Sequence, residues 1–339
     1  MPALIRFSVL LPVRNGWPYV KECVESILAQ TYPHFDLIVL DNQSNDNTVE
    51  WLNSLDDKRI QILTSSSSLP IVESWARAKD VSKQEFMTLI GHDDRFDPDF
   101  LGRIKALIER HPRSALYQTG ARLINSEGDK IRSCIAVPEV ETAAEYLEAR
   151  FTFNRDTFGT GFVMRSEDYD RVGGIPGFEK LFFADDALWL SLIGASNKAC
   201  DPGELFSVRV HPKSESASLP SVWTSIVTGL GQFSNFLTTF VQTNAAARKV
   251  YLEHGADFML TYHRNACIFA LVEASEAGRR IDRATVERIE AALAQTAPSR
   301  AGQLFKSPRV AAVAALNASP LRFAAPILWH LYTRRKTRS

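Results

Sequence analysis

Long apolar runs are missing from this sequence. No uninterrupted stretch approaches the roughly 18–20 residues a helix needs to cross a bilayer, so nothing in it reads as spanning a membrane. Cysteine is scarce as well: Cys23, Cys134, Cys200 and Cys267 lie far apart with no Cys-x-x-Cys pair. That excludes a zinc ribbon or a dense disulfide framework and fits a reducing cytoplasm. Neither sign of charge is in excess, because 39 basic residues meet 39 acidic ones. The chain therefore lacks the global positive field that draws nucleic acid, and no nucleic-acid partner is expected. A Gly-rich phosphate loop is absent near the N terminus, where Leu10–Gly16 holds one glycine and one arginine. The opening "MPALIRFSVLLPVRNG" has a short apolar run that meets a proline at once, which reads as a first strand rather than a signal peptide.

What is present is an ordinary globular composition, 45% hydrophobic and 23% charged over 339 residues, long enough for two domains. Phe7–Leu11, Phe35–Leu40, Ile60–Leu63 and Phe86–Ile90 are short apolar runs of strand length. Between and after them, Val20, Cys23, Val24, Ile27 and Leu28, then Ile71, Val72, Trp75 and Ala76, then Leu101, Ile104, Leu107 and Ile108 recur at helical spacing. This βαβα order predicts an α/β fold, a Rossmann-like, mostly parallel sheet flanked by helices, over residues 1–215. Beyond Pro212 and Pro220 the pattern turns helical, through Val222–Phe240, Tyr251–Val272 and Ile281–Leu293, so residues 216–339 are expected to form an α-helical region.

Ligands of open parallel sheets bind outside the carboxyl ends of the strands. Two polar clusters fall at such places. "DNQSNDNT", Asp41–Thr48, follows the second strand and can be read as an Asx turn with Ser44 or Asp46 capping a helix, although Asp41 sits on the strand's last position. "GHDDRFDPDF", Gly91–Phe100, follows the fourth strand. Its Asp97-Pro98 reads as a helix start, whereas Asp93 and Asp94 have no such explanation and offer hard oxygen ligands for Mg²⁺ or Mn²⁺. Like charges this close repel, which a cation or polar ligand would relieve. Asp185-Asp186 open a helix, where acidic residues complement the macrodipole; the preceding Leu181-Phe182-Phe183 would also place a carboxylate beside apolar surface as a better base. His211 follows a short strand, and such a lone histidine also reads as a surface or hydrogen-bonded residue.

Taken in order these residues resemble the catalytic domain of the family-2 inverting glycosyltransferases, which have the GT-A fold. The matching elements are Pro12-Val13-Arg14-Asn15, Gln30-Thr31-Tyr32, then Asp41, Ser44, Asp46 and Thr48, then Asp93, Asp94 and Pro98, then Gly173-Gly174-Ile175, and finally Asp185-Asp186 with Leu188-Trp189-Leu190. The resemblance implies that Pro12, Arg14, Asn15, Asp41, Ser44 and Asp94 serve the nucleotide, with Asp41 on the base edge. It also implies that Asp93 binds the metal on the donor's diphosphate, with His211 of Arg209-Val210-His211 approaching it, and that Asp186 is the base beside Asp185. Two departures stand out: Gly91 replaces the cluster's usual first aspartate, and Asp185 replaces the glutamate that often begins the acidic pair. The processive Gln-x-x-Arg-Trp signature is missing, so one sugar per encounter is expected.

The implied cofactor is Mn²⁺ or Mg²⁺. The implied partners are a nucleoside-diphosphate sugar, UDP- or dTDP-linked because Asp41 suits a pyrimidine imide, and a carbohydrate or lipid-linked acceptor. The assembly of cell-surface polysaccharide or lipopolysaccharide would use such a transfer. The helical region is left to acceptor, homo-oligomer or membrane-surface contacts. Its end, "LRFAAPILWHLYTRRKTRS", joins apolar residues to Arg334, Arg335, Lys336 and Arg338, which suits either a peripheral site on an anionic membrane face or a docked terminal helix with a solvated tail. A sugar-phosphate nucleotidyltransferase, disfavoured by the missing phosphate loop, and a catalytically silent sugar-nucleotide-binding scaffold are the competing readings.

Overall fold

The computed structural model describes residues 4–211 and 222–329, so the basic tail and both boundary prolines lie outside the described residues. The chain divides into two compact units, Met1–Tyr146 with Asn154–Val210, and Leu147–Phe153 with His211–Ser339.

The first unit runs β1 (Phe7–Val13), α1 (Tyr19–Leu28), β2 (Phe35–Asp41), α2 (Thr48–Asn53), β3 (Ile60–Ile62), α3 (Ile71–Ala76), β4 (Phe86–Leu89), β5 (Arg95–Phe96), α4 (Phe100–Arg110), β6 (Leu116–Ile124), β7 (Lys130–Ser133) and β8 (Val140–Thr142). Helix α5 (Ala143–Phe151) carries the unit boundary, and β9 (Val163–Arg165), α6 (Ser166–Arg171), α7 (Ala184–Ile193) and β10 (Asn197–Arg209) complete the unit. One sheet holds the strands in the order β3-β2-β1-β4-β9-β6-β10-β5, with β7 on β6 and β8 on β10. Strands β3, β2, β1 and β4 are mutually parallel, as are β6 and β10, while β9 joins the two sets antiparallel to β4 and β6.

Every residue of β1 is buried, which is why its sequence is a continuous apolar run and not an alternation. Helix α1 turns Val20, Cys23, Val24 and Ile27 inward, and α4 does the same with Leu101, Ile104, Leu107 and Ile108. The sheet's carboxyl ends at Val13, Asp41 and Leu89 are therefore fixed by a core that extends along three adjacent strands.

Asp97 does not cap α4 as expected from Asp97-Pro98. The helix begins at Phe100 with Asp99 at the cap position, and Asp97 instead holds Arg122. The capping bond comes from a distant residue: Gln30 accepts the Leu101 N–H at 2.9 Å and donates to the Asp97 carbonyl at 2.7 Å. Its neighbours finish the joint, Thr31 donating to Asp99 and Tyr32 to the Ile5 carbonyl. The Gln-Thr-Tyr element is thus a splice between α1 and α4.

The second unit contains α8 (Trp223–Thr243), α9 (Ala245–Glu276), α10 (Arg283–Thr296) and α11 (Pro308–Ala318). Phe233, Leu237, Phe258, Ile268, Leu271, Ile289 and Val310 are among the side chains buried within it. Trp329 packs edge-on against Phe269 at 5.2 Å, whereas Leu321, Phe323, Ile327 and Leu328 stand exposed. No helix among the described residues is long and apolar enough to cross a membrane.

Candidate active site

The turns after β1 and β2 are tied together by the polar residues the sequence singled out. Asn15 adopts a left-handed backbone, its N–H donates to Ser44 Oγ at 2.9 Å, and its Oδ1 accepts the Asn45 N–H at 2.8 Å. Gly16 N–H donates to Thr48 Oγ1, and Trp17 N–H to Asp46 Oδ2. Asp46 Oδ1 also accepts the Thr48 N–H at the start of α2, the Asx turn expected there. Burial alone would raise Asp46, but the bonds from Thr48 and Trp17 outweigh it and hold the carboxyl below its usual range. Asn15 and Ser44 therefore lock two loops to each other. Pro12 sits in β1 with the rest of that buried strand, and Arg14 is exposed on the turn.

Asp41 ends β2 and is 0% exposed. Its Oδ1 accepts the Ser44 N–H, and its backbone carbonyl accepts Arg77. Its Oδ2 is buried with no hydrogen-bond partner among the described residues. A buried carboxylate oxygen left so costs free energy until a donor reaches it.

At the outlet of β4 the two aspartates have different surroundings. Asp94 is 6% exposed; its Oδ1 accepts the Arg209 N–H at 3.0 Å and its Oδ2 the Thr160 hydroxyl at 2.9 Å. Burial, reinforced by the negative charge of Asp93, pushes its pKa up to about 8. Asp93 is less buried, and its carbonyl is held by Arg209 Nε at 2.9 Å. A Cβ on Gly91 would meet Asp93 Oδ1 at 2.9 Å and Asp94 Oδ2 at 3.0 Å, so both carboxylates fold over a bare α-carbon. That packing explains why no side chain stands at 91.

Arg209, the last residue of β10, organises this outlet. Its guanidinium is fully buried over the Tyr19 ring, donates to the carbonyls of Asn125 and Ser126, and pairs with Glu22 at 2.6 Å. The acidic loop is thereby fixed by a buried cation that holds the Asp93 carbonyl while its own N–H holds Asp94.

Asp185 and Asp186 lie in the first turn of α7, and Asp186 is 1% exposed. Its Oδ1 accepts the Tyr146 hydroxyl at 2.8 Å. The approach to this turn is strained: Lys180, Leu181 and Phe183 all have positive φ, a conformation that costs non-glycine residues of order 1–3 kcal/mol each and gathers at functional sites. Asp185 lines a cleft with Gln118, Tyr146, Arg155, Phe158 and Phe162. His211 is buried and begins the second unit.

Among the described residues no three or more His, Cys, Asp or Glu side chains stand together as a self-sufficient metal site. Mg²⁺ and Mn²⁺ sites often take one or two carboxylates and complete the shell with substrate phosphate oxygens and water. The cradle over Gly91, with Asp93 on it, fits that demand.

A pH dependence follows from Asp94. In the unfolded chain its carboxyl ionises near 3.8, but in the fold it keeps its proton to about 8. Between those values the native state binds the extra proton, so this group's contribution is fully present below about pH 4, falls as pH rises, and is lost above about pH 8. Asp94→Asn keeps the shape without the charge. The stability difference between Asp94→Asn and wild type, from urea unfolding in metal-free buffer, is expected to move in favour of the variant by up to roughly 1.4 kcal/mol per pH unit across that window. A difference that stays flat with pH would refute the buried neutral carboxyl.

Thr160, Tyr146 and the backbone contacts of Arg209 were not singled out from the sequence. A threonine near a glycine turn and a tyrosine on an amphipathic helix look like ordinary packing, and carbonyl partners leave no side-chain signal.

Residues 8–173 match the profile of Glycosyl transferase family 2. The glycosyltransferase GlyG of Streptococcus pneumoniae serotype 4 is 33% identical over 89 residues, 26% of this chain and 30% of GlyG. TuaG of Bacillus subtilis, named for teichuronic acid biosynthesis, is 26% identical over 189 residues, 55% of this chain and 71% of TuaG. This chain thus spans less than a third of the first relative and under three quarters of the second. Among solved structures, Staphylococcus aureus TarS 1–349 in complex with UDP-GlcNAc aligns with a TM-score of 0.58 at 14% identity, covering 97% of this chain and 92% of that one. The mannosyltransferase PcManGT of Pyrobaculum calidifontis, in complex with GDP-Man and Mn²⁺, aligns with a TM-score of 0.53 at 14% identity, covering 98% and 89%. The fold is of the GT-A type, a curled sheet with parallel strands leading into the site, and over residues 8–173 the chain belongs to glycosyl transferase family 2.

Proposed function

We propose that this protein transfers a single sugar from a nucleoside-diphosphate sugar, UDP- or dTDP-linked, to an acceptor hydroxyl with inversion at the anomeric carbon. The observation that carries the proposal is the buried, unpartnered Oδ2 of Asp41 at the carboxyl end of β2, a place where open α/β sheets bind ligands. A pyrimidine imide N–H is the donor that oxygen lacks.

Asp93 would hold Mn²⁺ or Mg²⁺, which when bound supplies Lewis-acid neutralisation of the charge gathering on the departing diphosphate. Asp94 and Arg209 keep the Asp93 loop in place by binding its backbone and each other. Asp186, with Oδ1 already held by Tyr146, takes the proton of the attacking hydroxyl, and Asp185 stands at the cleft through which that acceptor enters. Inversion follows from displacement in one step, the base and the leaving group acting on opposite faces of the sugar. Glycine at 91 fits the packing of Asp93 and Asp94, which supports a built site there over a silent scaffold. The name of TuaG supports a role in cell-surface polysaccharide assembly.

The test is isothermal titration with UDP and dTDP, with Mn²⁺ and with EDTA. Binding is expected in Mn²⁺, weakened by chelator. Asp41→Ala should lower affinity by about 10-fold or more, the effect of losing a hydrogen bond to a charged group. Failure of any nucleoside diphosphate in the panel to bind would end this reading; undiminished affinity in Asp41→Ala would remove only the base contact.

A further inference from the structure

Beneath α7 lies a charged cluster that the transfer chemistry does not itself require. Lys198, on β10, is 0% exposed and forms an ion pair with Glu141 at 2.7 Å. Glu141 is itself buried and also holds the guanidinium of Arg155. Both cations lie against one aromatic ring: Arg155 Cζ is 4.6 Å, and Lys198 Nζ 5.4 Å, from the centroid of Tyr146. The hydroxyl of that same tyrosine donates to Asp186 Oδ1. Burying two cations and a carboxylate is costly, and apolar residues of similar volume would often pack there with equal or greater stability.

We infer that Tyr146 is a positioning residue for Asp186, its phenol fixed and made a stronger hydrogen-bond donor by the Arg155 and Lys198 cations that Glu141 holds against its ring. This rests on the reading of Asp186 as the base. A cation near an aromatic ring is attracted to its π-face and draws electron density from it, so the hydroxyl becomes more acidic and its bond to a carboxylate tightens. The bond fixes the Asp186 rotamer and orients the carboxylate that receives the proton. Burial, with Arg155 alongside, brings the Lys198 amine down to about 8, in keeping with a site where positive charge is held at close quarters. The charged or titratable groups around the phenol are Arg155, Lys198 and Asp186 from its contacts, Glu141 paired with both cations, Cys200 beside Lys198, and Asp185, Asp156 and Cys134 on the shared cleft.

The experiment compares wild type, Tyr146→Phe and Asp186→Asn for kcat, donor KM, UDP affinity and the pH profile of kcat. Tyr146→Phe is expected to lower kcat by at least about 10-fold with donor KM and UDP affinity within about twofold, and to move the acid limb of the profile upward. Replacement of Tyr146 by a monofluorinated tyrosine, equal in shape but a stronger acid, should restore kcat and move the limb the other way. A purely structural tyrosine would leave the limb in place in both variants. If Asp186→Asn abolishes transfer while Tyr146→Phe keeps wild-type kcat and profile, the positioning role is wrong and the base stands. If Asp186→Asn turns over normally, the base assignment itself is lost. Should Tyr146→Phe bind UDP poorly, the fluorinated protein alone decides, an unmoved limb overturning the inference.

Discussion

Asp186→Asn is expected to lower transfer turnover by about 10²–10⁴-fold while leaving UDP affinity within about a factor of two. The asparagine keeps the volume of the side chain and can still accept the Tyr146 hydroxyl through its amide oxygen, so the strained lead-in to α7 and the packing around it have no reason to change. What is lost is the ability to take a proton. Removing negative charge from the first turn of α7 costs at most a few tenths to 1 kcal/mol of dipole stabilisation, far below the effect on turnover. A drop in kcat with unchanged binding and a small change in melting temperature would thus isolate the chemical step. Turnover near wild type would mean that another group accepts the proton.

A large loss of stability is expected on removing Arg209. Its guanidinium is fully buried and serves Glu22 and the carbonyls of Asp93, Asn125 and Ser126. Arg209→Ala leaves those acceptors without their donor and opens a gap under Tyr19. Breaking a buried charged network by removing one partner costs about 3–5 kcal/mol, equivalent to a fall in melting temperature of roughly 6–20 °C for a domain of this size. Glu22 tempers the figure because it is 41% exposed and keeps Arg95 at 3.1 Å. Arg209→Lys retains the charge but not the fork that reaches several carbonyls at once, so it should fall between the two. Calorimetry on the three proteins checks this, and an alanine variant within about 1 kcal/mol of wild type would show that the loop after β4 holds its shape unaided.

The parts of this molecule legible in the sequence are those where one face or both faces of an element are uniform. Strands β1, β2 and β4 were readable as apolar runs because each is buried on both sides. Strand β10 was legible only as the short strand before His211, because Pro202-Gly203 sits inside it and such a pair ordinarily ends a strand. Here the pairing with β6 shifts register between Asp201 and Glu204, and Asp201 accepts the Gly203 N–H, so the pair forms a bulge that the strand passes through. Strand β6, "LYQTGARLI", carries polar residues on buried positions and gives no clean alternation. At the site, crowded carboxylates announced themselves at Asp93-Asp94 and Asp185-Asp186, since acids near a strand outlet or a helix start demand a reason. Their supports did not. Arg209 acts largely on backbone carbonyls, Tyr146 reads as one more apolar helix position, and Gln30 caps a helix seventy-one residues away in the chain.

The bare α-carbon at position 91 also constrains how this site could have changed over evolutionary time. An aspartate arriving there by mutation would collide with the two carboxylates already folded across it, adding a third negative charge where one acid already keeps its proton. A side chain at 91 therefore fits only where the carboxylates of Asp93 and Asp94 move aside. Substitutions at 91 and 94 should therefore be non-additive in stability, since the two positions share one contact.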